Sequence, residues 1–539
     1  MNHAVVLLLL FTFTAGIAVL LLLVWVVTRS QLGWSRNGAS VIFDHDEVGT
    51  PEEPAGEAPQ QAHGRADDLL ARRAADLSSR KPVLMFLASA IFWLLVGSIA
   101  GLVVSLKATF PSWLNESAWL TFGRLRPFHL NAVAYGFASM AGMGVALWLV
   151  PRIVRTPLEK PRWLMASAVV WNIGVAAGLL ALLAGWTDGI EWLEFPWQID
   201  LVLVVAGGLA GVPFFATLRK RKVDHLYVSI WYMGAAFVWF PMLFLVANLP
   251  WIHFGVEHAT VNWWFAHNTL GLWLTPLGLA SAYYFIPKVI GRPIHSYGLS
   301  LIGFWSLALF YSQVGMHHLI GGPVPTWLVT VSIVHSVMMV VPVVAVAVNH
   351  HVTMVGHFGA LRRSPTLRFM VFGAVSYTLT SLEGSLQSLR SINRVTHFTH
   401  FTVGHAHFGV YGFVAMVLFG GMYFLLPRLA EREWPHPRLI AAHFWGAVSG
   451  ILVYVVALSV GGILQGLAML DPKRPFMDSV AVTIPYLHAR TIGGLLMTLS
   501  HFVFAWHTFA LLRKRGEARV TAARPQPAIA IGPQAEVTP

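Results

Sequence analysis

Residues 401–427 read FTVGHAHFGVYGFVAMVLFGGMYFLLP, from Phe401 to Pro427, without one Asp, Glu, Lys or Arg. As a helix, such a run is long enough to cross the ~30 Å hydrocarbon core of a bilayer. It nevertheless carries two histidines, His405 and His407, separated by a single residue. Lipid has no water to solvate an imidazole, so an ionisable side chain inside a span is read first as part of a functional site.

The rest of the chain repeats this pattern. It has 539 residues, 56% hydrophobic and only 11% charged, with a mean hydropathy of +0.64. Thirteen apolar stretches are predicted to span, near 4–27, 83–106, 127–151, 163–185, 199–217, 227–249, 261–287, 298–320, 326–349, 367–390, 401–427, 439–466 and 486–512. The fold class is an all-α polytopic membrane protein, a twelve-helix bundle over residues 83–512 preceded by one extra transmembrane helix within 1–29. That first stretch has no basic leader and no small-residue cleavage site, so it reads as retained. Residues 30–80, rich in Pro, Glu, Ala and Arg, read as a partly disordered cytoplasmic linker, and 513–539 as a cytoplasmic tail.

Basic residues orient the chain. With the N-terminus outside and strict alternation, 28 of the 36 Lys and Arg fall on the cytoplasmic side and 8 outside. Positive charge is retained inside, so this arrangement is strongly preferred over its inverse. The net charge of +12 reflects that bias and does not point to nucleic acid. The chain has no cysteine, which excludes disulfides, thiolate-ligated metal centres and covalent CxxCH haem attachment.

The same topology gathers the intramembrane histidines. His129 lies at the outer end of its inward-running span. His317 and His318 end an outward-running one, and His405 and His407 lie about one turn in from the outer face. His267 lies about two turns in, so all six fall in the outer half of the bundle. Residues two apart on a helix point ~200° apart, so His405 and His407 face opposite sides and serve two different centres. Adjacent residues point ~100° apart, so His317 and His318 converge on one ion only where the helix end is distorted. His267 completes a three-imidazole set. Imidazoles without thiolate or carboxylate suit copper, zinc or iron, and an open fourth position permits catalysis.

Further residues join this set. Tyr311 lies six residues before His317; a phenol next to a redox metal can donate a proton and an electron, whereas a tyrosine alone in a span reads as a belt or packing residue. Glu383 is the one carboxylate deep within a predicted span, a costly placement that marks a site or relay role. Tyr377, six residues nearer the cytoplasm, extends a proton path with Thr380 and Ser381. Arg124 and Arg126 precede His129, and guanidinium forks suit carboxylates such as haem propionates. His335, His443, His501 and His507 lack a partner pattern and read as interior or helix-end histidines. His350, His351 and His357 read as solvated residues of a cytoplasmic loop.

With these residues together, the chain resembles the catalytic subunit of a haem–copper oxidase, specifically the C family of cbb₃-type cytochrome c oxidases. The resemblance covers roughly 83–512 and rests on five stretches: Gly-Arg-Leu-Arg-Pro-Phe-His129-Leu-Asn; Trp-Trp-Phe-Ala-His267-Asn-Thr-Leu-Gly; Phe-Tyr311-Ser-Gln-Val-Gly-Met-His317-His318-Leu; Leu-Glu383-Gly; and Val-Gly-His405-Ala-His407-Phe-Gly. It implies two b-type haems, one low-spin on His129 and His407 and one high-spin on His405, with copper on His267, His317 and His318. It implies a redox Tyr311 cross-linked to His267, a proton pathway through Tyr377 and Glu383, and a calcium ion bridging haem propionates near Glu191 and Glu194.

The implied activity is reduction of O₂ to water in a bacterial inner membrane, with the active site towards the outer face. Electrons come from mono-haem and di-haem cytochrome c subunits, and protons from the cytoplasm, with some pumped. The segment Val-Ile-Phe-Asp-His-Asp-Glu after the first helix is similar to the small single-helix assembly subunit of these oxidases. Gly271, four residues after His267, stands where other oxidase families carry the tyrosine and nitric-oxide reductases an iron-binding Glu. Gly303, Met316 and Ala266 depart from the expected His, Pro and Gly. Two other readings make different predictions: a nitric-oxide reductase on the same bundle would hold an extra iron and no copper, and a transporter with structural histidines would show no haem absorbance.

Overall fold

A computed structural model describes residues 59–249 and 252–513. The expected first helix at 1–29, most of the linker and the tail after Arg513 lie outside the described residues. Twelve helices of spanning length follow one another: α1 (Pro59–Thr109), α2 (Phe122–Ile153), α3 (Pro161–Ala184), α4 (Trp197–Arg219), α5 (Val228–Ala247), α6 (Gly255–Ile290), α7 (Tyr297–Leu319), α8 (Thr326–Met354), α9 (Pro365–Gln387), α10 (His400–Ala430), α11 (Pro437–Leu470) and α12 (Phe476–Arg513). Eleven are apolar enough to cross a membrane on composition alone. The exception is α9, which carries Arg368 and Glu383.

Two sequence expectations give way here. Residues 59–80, assigned to the linker, are helix and belong to α1. Composition missed them because their polar residues have specific partners: Asp76 takes Arg152 at 2.7 Å and Arg80 reaches Glu431 at 3.1 Å. His350, expected in a solvated loop, is only 2% exposed inside α8, with its ring against Tyr283 at 4.4 Å. Helix α8 runs to Met354, past the apolar stretch that set the expected boundary.

Burial sorts the helices into layers. The most apolar windows of α2, α6 and α10 are 94%, 83% and 83% buried, whereas α4 and α12 reach 44%. A helix that is apolar all round belongs in the interior, and these three are the helices that carry His129, His267, His405 and His407. Each continues from its histidines straight into a π-helical segment: Ala132–Ala138, Thr269–Leu274 and Phe408–Ala415. Such i→i+5 insertions are rare and recur at functional sites, because one extra residue per turn re-aims the side chains beside it. Behind them, Trp148, Phe285 and Phe424 interlock α2, α6 and α10, with ring centres 5.1 to 6.3 Å apart.

Candidate metal centre

The six histidines fall into three groups in the structure. Their grouping follows the helical arithmetic. His129 and His407 face each other across the gap between α2 and α10, ring centres 6.2 Å apart and planes within 12°. An iron between two imidazoles, each bonded at about 2 Å, requires ring centres roughly 6 Å apart. The far nitrogens are already committed: His129 Nδ1 donates to the Gly97 carbonyl at 2.7 Å and His407 Nδ1 to Val403 at 2.8 Å. That fixes the tautomer with both Nε2 lone pairs turned inward. The Tyr454 hydroxyl lies 3.3 Å from His407 Nε2. On the other flank Gly101 leaves room for the ring, since a Cβ there would lie 2.6 Å from His129.

His405 points to the opposite side of α10. Its Nδ1 lies 3.1 Å from Glu383 Oε2 on α9 and 3.5 Å from Thr380 Oγ1. This again frees Nε2 as a ligand. Glu383 therefore pairs with the haem-ligand candidate itself, and its Oε1 is buried without a partner.

The third group is the tightest. His267, His317 and His318 present ligand nitrogens all within 4.8 Å of one another. Helix α7 stops being α-helical at Tyr311, turns at Gly315 (φ +126°) and resumes as a single 3₁₀ turn, Met316–Leu319. This is the distorted helix end that lets adjacent histidines converge. Gly315 is required twice, once for its positive φ and once because a Cβ would strike the backbone of Trp263 and Trp264. His318 stacks on Trp263 at 4.3 Å, and His317 Nδ1 is gripped by Ser332 and Ser336 at 3.0 and 3.2 Å. His267 has its Nδ1 buried and unpartnered. Three neutral imidazoles, two of them fixed through packing or a second nitrogen, form the donor set that copper prefers.

The ring of Tyr311 lies 5.2 Å from that of His267 and directly over Gly271. A Cβ at Gly271 would fall inside the phenol ring, so the glycine and the tyrosine one helix on are two halves of one arrangement.

Comparison with known proteins agrees with this geometry. Residues 81–496 match the family model described as Cytochrome C and Quinol oxidase polypeptide I. The chain belongs to that family. The cbb₃-type cytochrome c oxidase subunit CcoN1 of Stutzerimonas stutzeri is 33% identical over 459 residues, 82% of this chain and 97% of that protein. Cytochrome c oxidase subunit 1 of Rhodobacter capsulatus is 32% identical over 447 residues, 79% of this chain and 84% of that one. A solved haem–copper terminal oxidase dimer has the same fold, with a TM-score of 0.68 at 16% identity over 80% of this chain and 84% of that one. This oxidase chain is thus a haem–copper oxygen reductase subunit of the cbb₃ kind.

The remaining candidate residues of this haem–copper subunit divide less evenly than their sequence suggests. Glu194 is 6% exposed; Asn131 Nδ2 donates to its Oε2 at 2.9 Å and its Oε1 has no partner. Burial pushes its carboxyl up to about 7. An orphaned carboxylate oxygen of this kind fits a hard cation such as calcium. Glu191 is more exposed and is paired with Arg126 at 2.6 Å. Arg124 donates to the Leu183 carbonyl at 2.7 Å. Tyr377 is buried beside Phe413, its hydroxyl without a partner.

Sequence reasoning missed Ser332, Ser336, Tyr454 and Asn349, because a lone Ser, Tyr or Asn in an apolar helix carries no pattern. Three of the histidines read as interior do have partners: His501 bonds Ser98 and Tyr411 at 2.7 and 2.8 Å, His443 bonds Tyr423 at 2.9 Å, and His507 Nε2 accepts from the His436 backbone N–H at 3.3 Å.

Proposed function

We propose that this chain, through the domain at 83–512, reduces O₂ to water, where His405 would hold a high-spin b haem and His267, His317 and His318 a copper ion. His129 and His407 would hold a low-spin b haem, which would supply the electrons. The single observation that carries this reading is the three-imidazole cluster of α6 and α7 within reach of His405, whose own second nitrogen is held by Glu383. Bound there, the haems and copper supply the redox chemistry by which one O₂ takes four electrons and four protons.

The chain's own residues do the rest. His405 and His407 stand one residue apart, which keeps the two haem sites close and electron transfer between them short. Tyr311, against His267, gives up its phenolic proton and one electron and regains both in each cycle. Tyr377 and Glu383 line the cytoplasmic approach, from which protons are drawn; some are moved across the membrane. Glu191 and Glu194 would hold a calcium ion, and Arg124 and Arg126 would supply guanidinium groups for haem propionates.

Mono-haem and di-haem cytochrome c subunits are the electron donors, in a bacterial inner membrane with the oxygen site towards the outer face. The Stutzerimonas relative is named a cbb₃-type cytochrome c oxidase subunit, which supports cytochrome c as the source of electrons. A nitric-oxide reductase would set a carboxylate beside its non-haem iron. Here Glu383 is engaged with His405, and Gly271 offers no ligand.

The test is oxygen consumption by the purified complex with a reduced cytochrome c, read beside its spectra. Water as product, with one low-spin and one CO-binding b haem, is expected. Nitric-oxide turnover without O₂ reduction, or no haem absorbance, overturns the reading.

A further inference from the structure

Between Ser300 and Tyr311 the buried face of α7 offers Gly303, Phe304 and Leu307, none of which can hold a proton. Tyr311 follows Ser300 by eleven positions, roughly 16 Å of helix. Ser300 itself donates to the Tyr297 carbonyl at 2.6 Å. A proton that starts near the α6–α7 connection and ends at Tyr311 must therefore be carried by side chains of neighbouring helices.

The lower end of such a route is visible. Ser296 caps α7, and its backbone N–H donates to Asn349 Oδ1 at 2.8 Å. Asn349 Nδ2 in turn donates to the Tyr283 hydroxyl at 3.4 Å. Tyr283 thus accepts from Asn349 and keeps its own proton to pass on. His350 lies against the same ring at 4.4 Å, the nearest titratable group on α8.

The middle is occupied by a residue that no motif marked. Tyr232, on α5, stacks on Tyr283 with ring centres 5.8 Å apart and planes within 19°. Its hydroxyl lies 3.6 Å from the point where a Cβ on Gly303 would be, so it reaches into the space that Gly303 leaves bare. Tyr232 is fully buried and its hydroxyl has no partner. Tyr283 and Tyr377 are the two phenols near enough to act on it electrostatically, and Tyr377 is likewise near Tyr311. A buried unpartnered hydroxyl costs on the order of 1–3 kcal/mol, and Tyr232 and Tyr377 both carry one.

We propose that Tyr232 carries protons across the stretch of α7 left bare by Gly303, from Tyr283 to Tyr377 and so to Tyr311. This rests on the reading that Tyr311 is reprotonated past Tyr377. At each step one phenol accepts a proton on oxygen while releasing its own, through hydroxyls and the water between them, so Tyr232 ends unchanged.

The test replaces the hydroxyl and keeps the ring. Tyr232→Phe retains the packing on Tyr283 and on Phe304, which lies 5.1 Å away edge to face. Turnover of the assembled oxidase is expected to fall at least about tenfold, with a larger solvent deuterium isotope effect and unchanged CO-difference spectra. Adding Gly303→Ser, which returns a hydroxyl from the other wall of the same space, restores part of the rate. Unchanged turnover in Tyr232→Phe while Tyr377→Phe is slow overturns the role of Tyr232 alone. Unchanged turnover in both removes the underlying route as well. A slow Tyr232→Phe with an altered CO spectrum, or with no rise in the isotope effect, also counts against the proposal.

Discussion

The phenol ring of Tyr311, on α7, fills the space directly above Gly271, on α6. The two residues are 40 positions apart in sequence, yet a side chain at one excludes the ring of the other. Gly271→Ala is predicted to push Tyr311 off His267, at about 1–3 kcal/mol of strain. Oxygen reduction falls by at least about a hundredfold, the lower end of the range for a displaced proton donor. Both haem spectra persist. Normal turnover in Gly271→Ala would show that the phenol is not needed where it stands.

Glu383 sets the character of His405. A carboxylate on Nδ1, here at 3.1 Å, makes the imidazole a stronger donor to iron. Glu383→Gln keeps the shape and removes the charge. The high-spin haem remains, its midpoint potential rises, and turnover drops by about 10–100-fold. Spectroelectrochemical titration reads the potential; an unshifted value contradicts the pairing.

Ser332 and Ser336 are predicted to matter only through His317. Replacing both with Ala frees the ring that they hold at 3.0 and 3.2 Å. Copper affinity falls by about 10–100-fold while haem content is unchanged. Equal copper content after dialysis against a chelator would show that the two hydroxyls do not position the ligand.

Much of this was legible in advance. The alternation of apolar runs and basic loops specifies the bundle, because a bilayer accepts few alternatives. The one-residue gap between His405 and His407 specifies two centres, because a helix turns 100° per residue. What stayed hidden depends on specific partners. Helix over 59–80 required Arg152 and Glu431, which lie far along the chain. The burial of His350 required the face of Tyr283. The pairing of Glu383 with His405 follows from the packing of α9 on α10, whereas sequence order set Glu383 beside Tyr377.

Glu194 gives a pH dependence with a definite sign. Burial raises its carboxyl from 4.5 to about 7. The neutral form is favoured in the folded chain, so the associated stability is full below 4.5 and is lost as pH rises through about 7. Calcium needs the carboxylate and must displace that proton. Its affinity is therefore predicted to weaken as pH drops below 7, approaching tenfold per unit, and to level off above it. Thermal stability with and without calcium, at pH 6 and pH 8, measures this. The gain from calcium is larger at pH 8 and disappears in Glu194→Gln. A gain independent of pH contradicts the assignment.

The most direct test of the central claim is metal and haem content in single-histidine variants of the assembled protein. The account predicts one copper and two b haems per chain. His267→Ala loses the copper and keeps both haems, and His129→Ala loses the low-spin signal and keeps the copper. Copper retained in His267→Ala, or both haems retained in His129→Ala, would contradict it.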